Sequence, residues 1–286
     1  MMRSLLGKVV AAVVMGCVVP AARAVLPTYP FEEKLWDRLS DRQLSDWGRK
    51  ALAIDANRWR HGETTHFILH YQSDGQLIAQ RSEAFYAEIR EFFGNRQDLL
   101  GGQKSQVFAF TDPRDWQTFL RGTGLLYALG ITRGNEFFYL ATGEDGRFDF
   151  KGKVQAHEMT HLVFNRFFAG QPPLWLNEGI AEYFGQRKTA TLAEFRREMR
   201  GSPRYTLDRL FAIKSYPSNP LDVQSFYAES AIIVDFLTMT DQRRALLPKF
   251  VDAMIRLNNV NNAVTIYGYR NLADFDIAYR FYRAGF

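Results

Sequence analysis

Cysteine is nearly absent from this 286-residue sequence, in which Cys17 is the only one. The scarcity excludes the small secreted domains that disulfides hold together. The sequence also has no internal repeat, no low-complexity tract and, after residue 24, no apolar run near the roughly 20 residues of a membrane-spanning helix. Because 47% of the residues are hydrophobic and 15% aromatic, we expect a globular protein with a packed core and no transmembrane helix in the mature chain.

The first 24 residues have the parts of an export signal. Arg3 and Lys8 supply positive charge, residues 9–19 form a short apolar run, and Ala22-Arg23-Ala24 is a small-x-small cleavage site. We expect cleavage after Ala24 and an exported protein, periplasmic or secreted. An export signal without disulfides fits a bacterial periplasm or exterior.

Two other readings of this segment stay open. In the first, the segment is not cleaved and stays as an N-terminal anchor, although its apolar run is short for a membrane span. In the second, Val14-Met15-Gly16-Cys17 acts as a lipoprotein box and Cys17 is lipidated. The apolar residues after Cys17 and the Ala-x-Ala site favour ordinary cleavage over both.

Net charge gives no support for nucleic-acid binding. The whole chain carries +5, but the predicted signal contains three basic residues and no acidic one, so 33 basic and 31 acidic residues remain, a net charge of +2. Nucleic-acid-binding domains usually have a concentrated basic face. We therefore expect no nucleic-acid partner, and the sequence leaves the oligomeric state open.

Hydrophobic periodicity predicts an α+β fold: an N-terminal α/β lobe with a small mixed sheet, then an all-helical C-terminal lobe, with the active site in the cleft between them. The expected boundaries are a signal at 1–24, an extension at 25–60, and a domain at 61–286 divided into lobes 61–170 and 171–286. Predicted strands are 65–71, 106–111 and 136–141, and predicted helices are 76–93, 112–120, 153–168, 174–185, 189–199, 222–240, 242–257 and 271–283.

The segment His157-Glu158-Met159-Thr160-His161 is an H-E-x-x-H motif. On a helix, positions i and i+4 share a face, so both imidazoles can reach one metal ion, and Glu158 can reach a water molecule there. Apolar neighbours such as Leu162 and Phe167 favour a buried helix over a solvated one that carries two ordinary histidines.

A catalytic zinc site needs a third protein ligand and an open position. The next predicted helix, at 174–185, contains Glu178 and Glu182 four residues apart, on one face. Glu178 is our candidate third ligand. Glu182 is our candidate to accept a hydrogen bond from a ligand histidine, His157 by preference. Paired glutamates on a helix are more often a solvated surface, but Trp175 and its neighbours make this helix unusually apolar.

The two segments H-E-M-T-H and W-L-N-E-G-I-A-E-Y-F together resemble the gluzincin branch of zinc metallopeptidases, most closely the small bacterial peptidase MA-like families. The phrase W-L-N-E-G-x-A is also similar to the aminopeptidase N family. The resemblance implies a zincin-like fold, zinc ligation by His157, His161 and Glu178, and Glu158 as general base. No G-x-M-E-N segment, which those aminopeptidases use to hold the substrate amine, is present, which favours an endopeptidase.

These residues predict an exported zinc metallopeptidase that acts on a peptide or protein substrate, with Glu158 activating a zinc-bound water. Tyr227 is the candidate oxyanion donor, and an ordinary core tyrosine is an equal alternative. From the resemblance, strand 136–141 is expected to pair its edge with an extended substrate. Alternative functions are a zinc amidase of cell-wall peptides and a non-catalytic zinc-binding scaffold.

Three further histidines, His61, His66 and His70, suggest a second metal site. No acidic residue or cysteine accompanies them at ligand spacing, so we expect polar histidines on a strand surface instead.

Overall fold

The computed structural model describes residues 28–125, 128–142, 152–187, 197 and 205–285. The predicted export signal and nearly all of the predicted helix 189–199 lie outside these residues.

A six-stranded mixed sheet forms the first half of the described chain. Its strands are β1 (Glu32–Lys34), β2 (Arg60–Glu63), β3 (Phe67–Tyr71), β4 (Ser105–Phe110), β5 (Gly130–Arg133) and β6 (Glu136–Leu140). The strand order is β1-β2-β3-β4-β6-β5. The central pairs β3–β4 and β4–β6 are parallel, whereas β1, β2 and β5 add antiparallel pairs at the two sides.

Helices make up the rest of the described regular structure. The α-helices are α1 (Asp46–Ala53), α2 (Gly75–Phe93), α3 (Pro113–Leu120), α4 (Lys153–Phe167), α5 (Leu174–Arg187), α6 (Leu207–Ala212), α7 (Pro220–Leu237), α8 (Asp241–Leu257), α9 (Val260–Ala263) and α10 (Leu272–Arg283). Short 3-10 helices occupy Trp36–Arg38, Ala56–Arg58 and Val264–Tyr267.

Side-chain alternation along the central strands places a hydrophobic core on each face of the sheet. On β6, Phe137 and Tyr139 enter the larger core, while Phe138 and Leu140 enter the smaller one. The larger core continues through α2, α4 and α5 to the last helix, α10. It therefore contains residues of both predicted lobes. The smaller core lies beneath α1 and α3.

The α+β class with a small mixed sheet is confirmed, and the predicted strands and helices inside the described residues are present with end shifts of a few residues. From residue 152 to 285, every described regular element is a helix. The helix start at Asp112-Pro113 is also confirmed, since the Asp112 side chain accepts a hydrogen bond from the Arg114 amide.

Three strands were not predicted: β1, β2 and β5. β1 lies within the predicted N-terminal extension, which thus contributes a strand to the sheet and, through α1, residues to the smaller core. Within the described chain, every helix falls short of the length and apolar character that crossing a bilayer requires.

Candidate metal centre

Helices α4 and α5 bring three candidate ligands together. His157 and His161 lie one turn apart on α4, and Glu178 comes from α5, which packs against it. The Nε2 atoms of the two imidazoles are 3.2 Å apart. Glu178 Oε2 lies 3.4 Å from His157 Nε2 and 3.5 Å from His161 Nε2. This largely buried group could hold a metal ion.

The outer nitrogen of each imidazole has an acceptor. His157 Nδ1 lies 3.1 Å from Glu182 Oε1, and His161 Nδ1 lies 3.2 Å from Asn177 Oδ1. When the Nδ1–H of either imidazole donates to its oxygen partner, Nε2 of the same ring carries a lone pair, which faces the other candidate ligands. The structure therefore places Glu182 beside His157, as predicted, and adds Asn177, which the sequence analysis did not identify.

Electrostatics at Glu178 favour the charged carboxylate. Its side chain is 2% exposed, and burial alone would raise its pKa, but His161 and His157 hold the pKa well below its ordinary value. Its second oxygen, Oε1, accepts a hydrogen bond of 2.6 Å from the Tyr216 hydroxyl. Both oxygens of this buried carboxylate are thus engaged, one by the imidazoles and one by a phenol.

Glu158 is held beside this group by the edge strand β5. Its Oε2 accepts a 2.6 Å hydrogen bond from Thr132 Oγ1. Gly130 leaves the space for its side chain, since a Cβ at that position would lie 2.5 Å from Glu158 Cγ and Oε1. Burial raises the pKa of Glu158, and the two neighbouring histidines only partly offset this rise.

The group opens onto a cleft of about 520 Å³ whose lining includes Glu158, Glu178, Tyr216 and Tyr227. A second, smaller cavity of about 310 Å³ shares Gly130, Glu158 and Tyr227 with it. The cleft therefore extends to both sides of the candidate ligands. The Tyr227 ring lies 6.3 Å from the His157 ring, so Tyr227 lines the site as well as touching the core.

The prediction that strand 136–141 offers its edge to a substrate is wrong. β6 covers that segment, and it is an inner strand with β4 on one side and β5 on the other. The strand beside the cleft is β5, which pairs with β6 on one side only within the described residues. The error arose because β5 was not recognised in the glycine-containing stretch 122–134.

Helices α5 and α7 cross in close contact at Gly179, the residue after Glu178. A Cβ there would overlap the Ser230 carbonyl and lie 3.0 Å from Val234 Cγ2. Glycine is required at this crossing because the backbone of α7 fills the space that a side chain would need. The crossing sets Tyr227, one turn before Ser230 on α7, opposite the candidate ligands.

The remaining histidines differ from the expectation for a strand surface. His70 is fully buried, with Nδ1 2.8 Å from His61 Nδ1 and Nε2 2.8 Å from Gln106 Oε1. His66 Nδ1 lies 2.7 Å from Glu83 Oε2, so an acidic partner does accompany it. His70 is buried because aromatic rings pack against it: its ring centroid lies 4.5 Å from that of Phe108 and 5.8 Å from that of Trp36.

Four residues that contact the candidate ligands or Glu158 were not predicted from the sequence: Gly130, Thr132, Asn177 and Tyr216. Asn177 directly precedes Glu178 in the motif, so helical geometry alone could have suggested its place. The others come from distant segments: Thr132 and Glu158 are 26 positions apart in the sequence, and Glu178 and Tyr216 are 38 positions apart.

The chain was compared with protein-family models and with curated proteins. No family model matches it, and no curated protein matches it.

Proposed function

We propose that this protein is a zinc-dependent endopeptidase with a zincin-like active site, exported to the cell envelope or beyond. The observation that carries the proposal is the convergence of two imidazole nitrogens and one carboxylate oxygen at 3.2–3.5 Å from one another. Export rests on the predicted signal at 1–24 alone.

The spacing of these three atoms fits zinc. Bonds of about 2.0–2.1 Å from a tetrahedral zinc to nitrogen and oxygen correspond to ligand–ligand distances of about 3.3–3.4 Å. Three protein ligands are typical of catalytic zinc, whereas structural zinc sites usually have four. Among the described residues, this is the only group of three that could hold an ion, so a fourth position would remain for water or substrate. That favours an enzyme over a scaffold.

A bound zinc would supply a Lewis acid that makes water acidic near neutral pH and polarises a carbonyl. The protein supplies the proton transfers. Thr132 holds Oε2 of Glu158, so Oε1 is the atom that takes a proton from the attacking water and passes it to the leaving amine. Tyr227 lines the same cleft, and we propose that its hydroxyl donates to the oxyanion.

Among the described residues, β5 pairs on one side only, and its other edge suits an extended peptide. Opposing residues of two antiparallel strands alternate between hydrogen-bonded and non-hydrogen-bonded pairs. Residues of the non-hydrogen-bonded pairs turn their backbone N–H and C=O groups away from the partner strand. The Leu140 amide donates to the Leu129 carbonyl, so Leu129 and Leu140 form a hydrogen-bonded pair. By the register, Gly130 and Thr132 then belong to non-hydrogen-bonded pairs and turn their N–H and C=O groups outward. A peptide added there as a further strand would pass beside Glu158.

Apolar side chains rim the cleft and suggest the kind of peptide it accepts. Leu125, Leu129 and Tyr216 are large hydrophobic residues that stay more than a third exposed, and all three line the cleft or its smaller extension. Exposed apolar side chains at a cavity mouth are typical of binding surfaces. We therefore propose a preference for apolar or aromatic side chains near the scissile bond.

Metal analysis and a peptide-library digest, with and without a chelator, test the function. We expect one equivalent of zinc and chelator-sensitive cleavage inside library peptides. Glu158→Gln should keep the zinc and lose about 10²–10⁴-fold in rate, the usual range for a general base. Glu91→Gln, an exposed position on α2, is the matched control. Equal activity in Glu158→Gln, or no cleavage by the zinc-loaded wild type, would refute the proposal.

A further inference from the structure

Tyr216 belongs to the connector 213–219 between α6 and α7, which we call the strap. The residue is 52% exposed, yet its hydroxyl reaches a carboxylate that is almost completely buried, Glu178. About half of the residue is exposed while its hydroxyl is directed inward to Glu178, which distinguishes Tyr216 from a tyrosine that only packs in the core. Its position against the ligand group therefore calls for another explanation.

The strap is fixed at both ends. The Ile213 amide donates to the Leu210 carbonyl at the end of α6, and the Asn219 side chain accepts from the Leu221 amide at the start of α7. Between these points, aromatic contacts orient the Tyr216 ring. It lies nearly parallel to the Tyr227 ring, with centroids 6.4 Å apart. The phenol is thus presented to Glu178 in a defined geometry.

The two oxygens of Glu178 have separate partners. Oε2 faces both imidazole Nε2 atoms, while Oε1 accepts the hydrogen bond from Tyr216. Without that bond, Oε1 would be a second oxygen free to bind the same cation, because ionised carboxylates bind metals through one oxygen or two. A second bond would add a fifth ligand and crowd the position that a catalytic zinc keeps for water or substrate.

We propose that Tyr216 is a positioning residue of the metal centre: it engages Oε1 of Glu178 so that this ligand offers a single oxygen and one coordination position stays open. The inference rests on the metal-binding part of the proposed function. It assigns to the strap a direct role in zinc affinity and in coordination number. Outer partners of metal ligands generally have effects of about 10–100-fold on affinity or activity.

Cobalt substitution of the full chain tests this role. Tyr216→Phe removes only the hydroxyl, and Tyr205→Phe is the matched control, since it removes a tyrosine hydroxyl that donates to the Asp222 carbonyl and does not line the cleft. Four-coordinate cobalt(II) absorbs visible light more strongly than five-coordinate cobalt(II). We expect Tyr216→Phe to lose visible absorbance and to change its zinc dissociation constant about 10-fold or more by chelator competition. Tyr205→Phe should keep the wild-type spectrum and zinc dissociation constant.

The outcomes separate this inference from the peptidase function. A Tyr216→Phe protein with the wild-type cobalt spectrum and zinc dissociation constant would overturn the role of Tyr216 and leave the peptidase function standing. A wild type that holds cobalt but cleaves no peptide would remove the peptidase function, and the spectra would still decide the role of Tyr216. Phenylalanine keeps the ring contacts with Tyr227 and Phe226, so a folded variant is expected.

Discussion

Replacing Gly130 by alanine should displace the proposed general base without touching a metal ligand. The added Cβ would lie 2.5 Å from Glu158 Cγ and Oε1, whereas ordinary contacts begin near 3.4 Å. Because β5 is held by its pairing with β6, the Glu158 side chain has to yield. The shift required is about 0.9 Å, the difference between those two distances.

The magnitude follows from the sensitivity of proton transfer to position. A misplacement of about 1 Å at a reacting group costs about 10²-fold in rate, which corresponds to about 2.7 kcal/mol in the activation barrier. Folding should be preserved, because the φ angle of Gly130 lies outside the left-handed region and alanine can adopt its backbone conformation. The imidazoles and Glu178 keep their places, so zinc content should stay at the wild-type level.

The assay is kcat and KM on the best library peptide, with zinc content measured on the same sample. Ile131→Val is the matched control: it lies on the same strand, but its side chain enters the smaller core on the other face of the sheet. We expect kcat to fall about 100-fold in Gly130→Ala and to stay near wild type in Ile131→Val. A Gly130→Ala enzyme with wild-type kcat would refute the placement of Glu158 as the base.

Three further predictions concern the metal and the stability of the fold. His157→Ala should lose zinc on dialysis because two candidate ligands remain among the residues that the structure describes. An equivalent retained against chelator would show that the ligands lie elsewhere. Glu229→Ala should lower the free energy of unfolding in urea by about 3–5 kcal/mol, because it leaves the buried Arg283 without its carboxylate; a loss under 1 kcal/mol would contradict this. Burial would raise the pKa of Glu63, but Lys104 and neighbouring donors lower it to about 2, so its folded pKa lies below its unfolded one. The charged Glu63 therefore stabilises the fold above pH 4.5, and this stabilisation is lost as the pH falls toward 2. Glu63→Gln should lower the free energy of unfolding by about 1–3 kcal/mol at pH 7 and by little at pH 2.5, measured by urea unfolding at both pH values.

Much of the fold follows from local pattern. The apolar spacing in α2 and α4, and the cap and proline that start α3, are properties of single segments, so they predicted those helices within a few residues. β1, β2 and β5 have three or four residues each and contain charged residues or glycine, as in E-E-K, R-H-G-E and G-I-T-R. Strands this short exist through their pairing partners, which no local pattern reveals.

Part of the candidate site could also be predicted from local pattern, and part could not. Helical spacing predicted that His157 and His161 share a face, and the apolar character of the following helix predicted that Glu178 faces them. Thr132 and Tyr216 reach the site only because β5 lies at the edge beside α4 and the strap crosses above α5. Such positions depend on how distant elements pack, and no signal in their own segments marks them.

The close crossing at Gly179 has a consequence for how the cleft can change shape. With the α7 backbone filling the space where a side chain would stand, α5 and α7 cannot slide past each other without steric overlap. Glu178 and Tyr227, which these two helices carry, therefore keep a fixed position relative to each other. Widening of the cleft for a bulky substrate is therefore expected on the side of β5, which has a partner on one side only in the part of the chain that the structure describes, or from displacement of the strap.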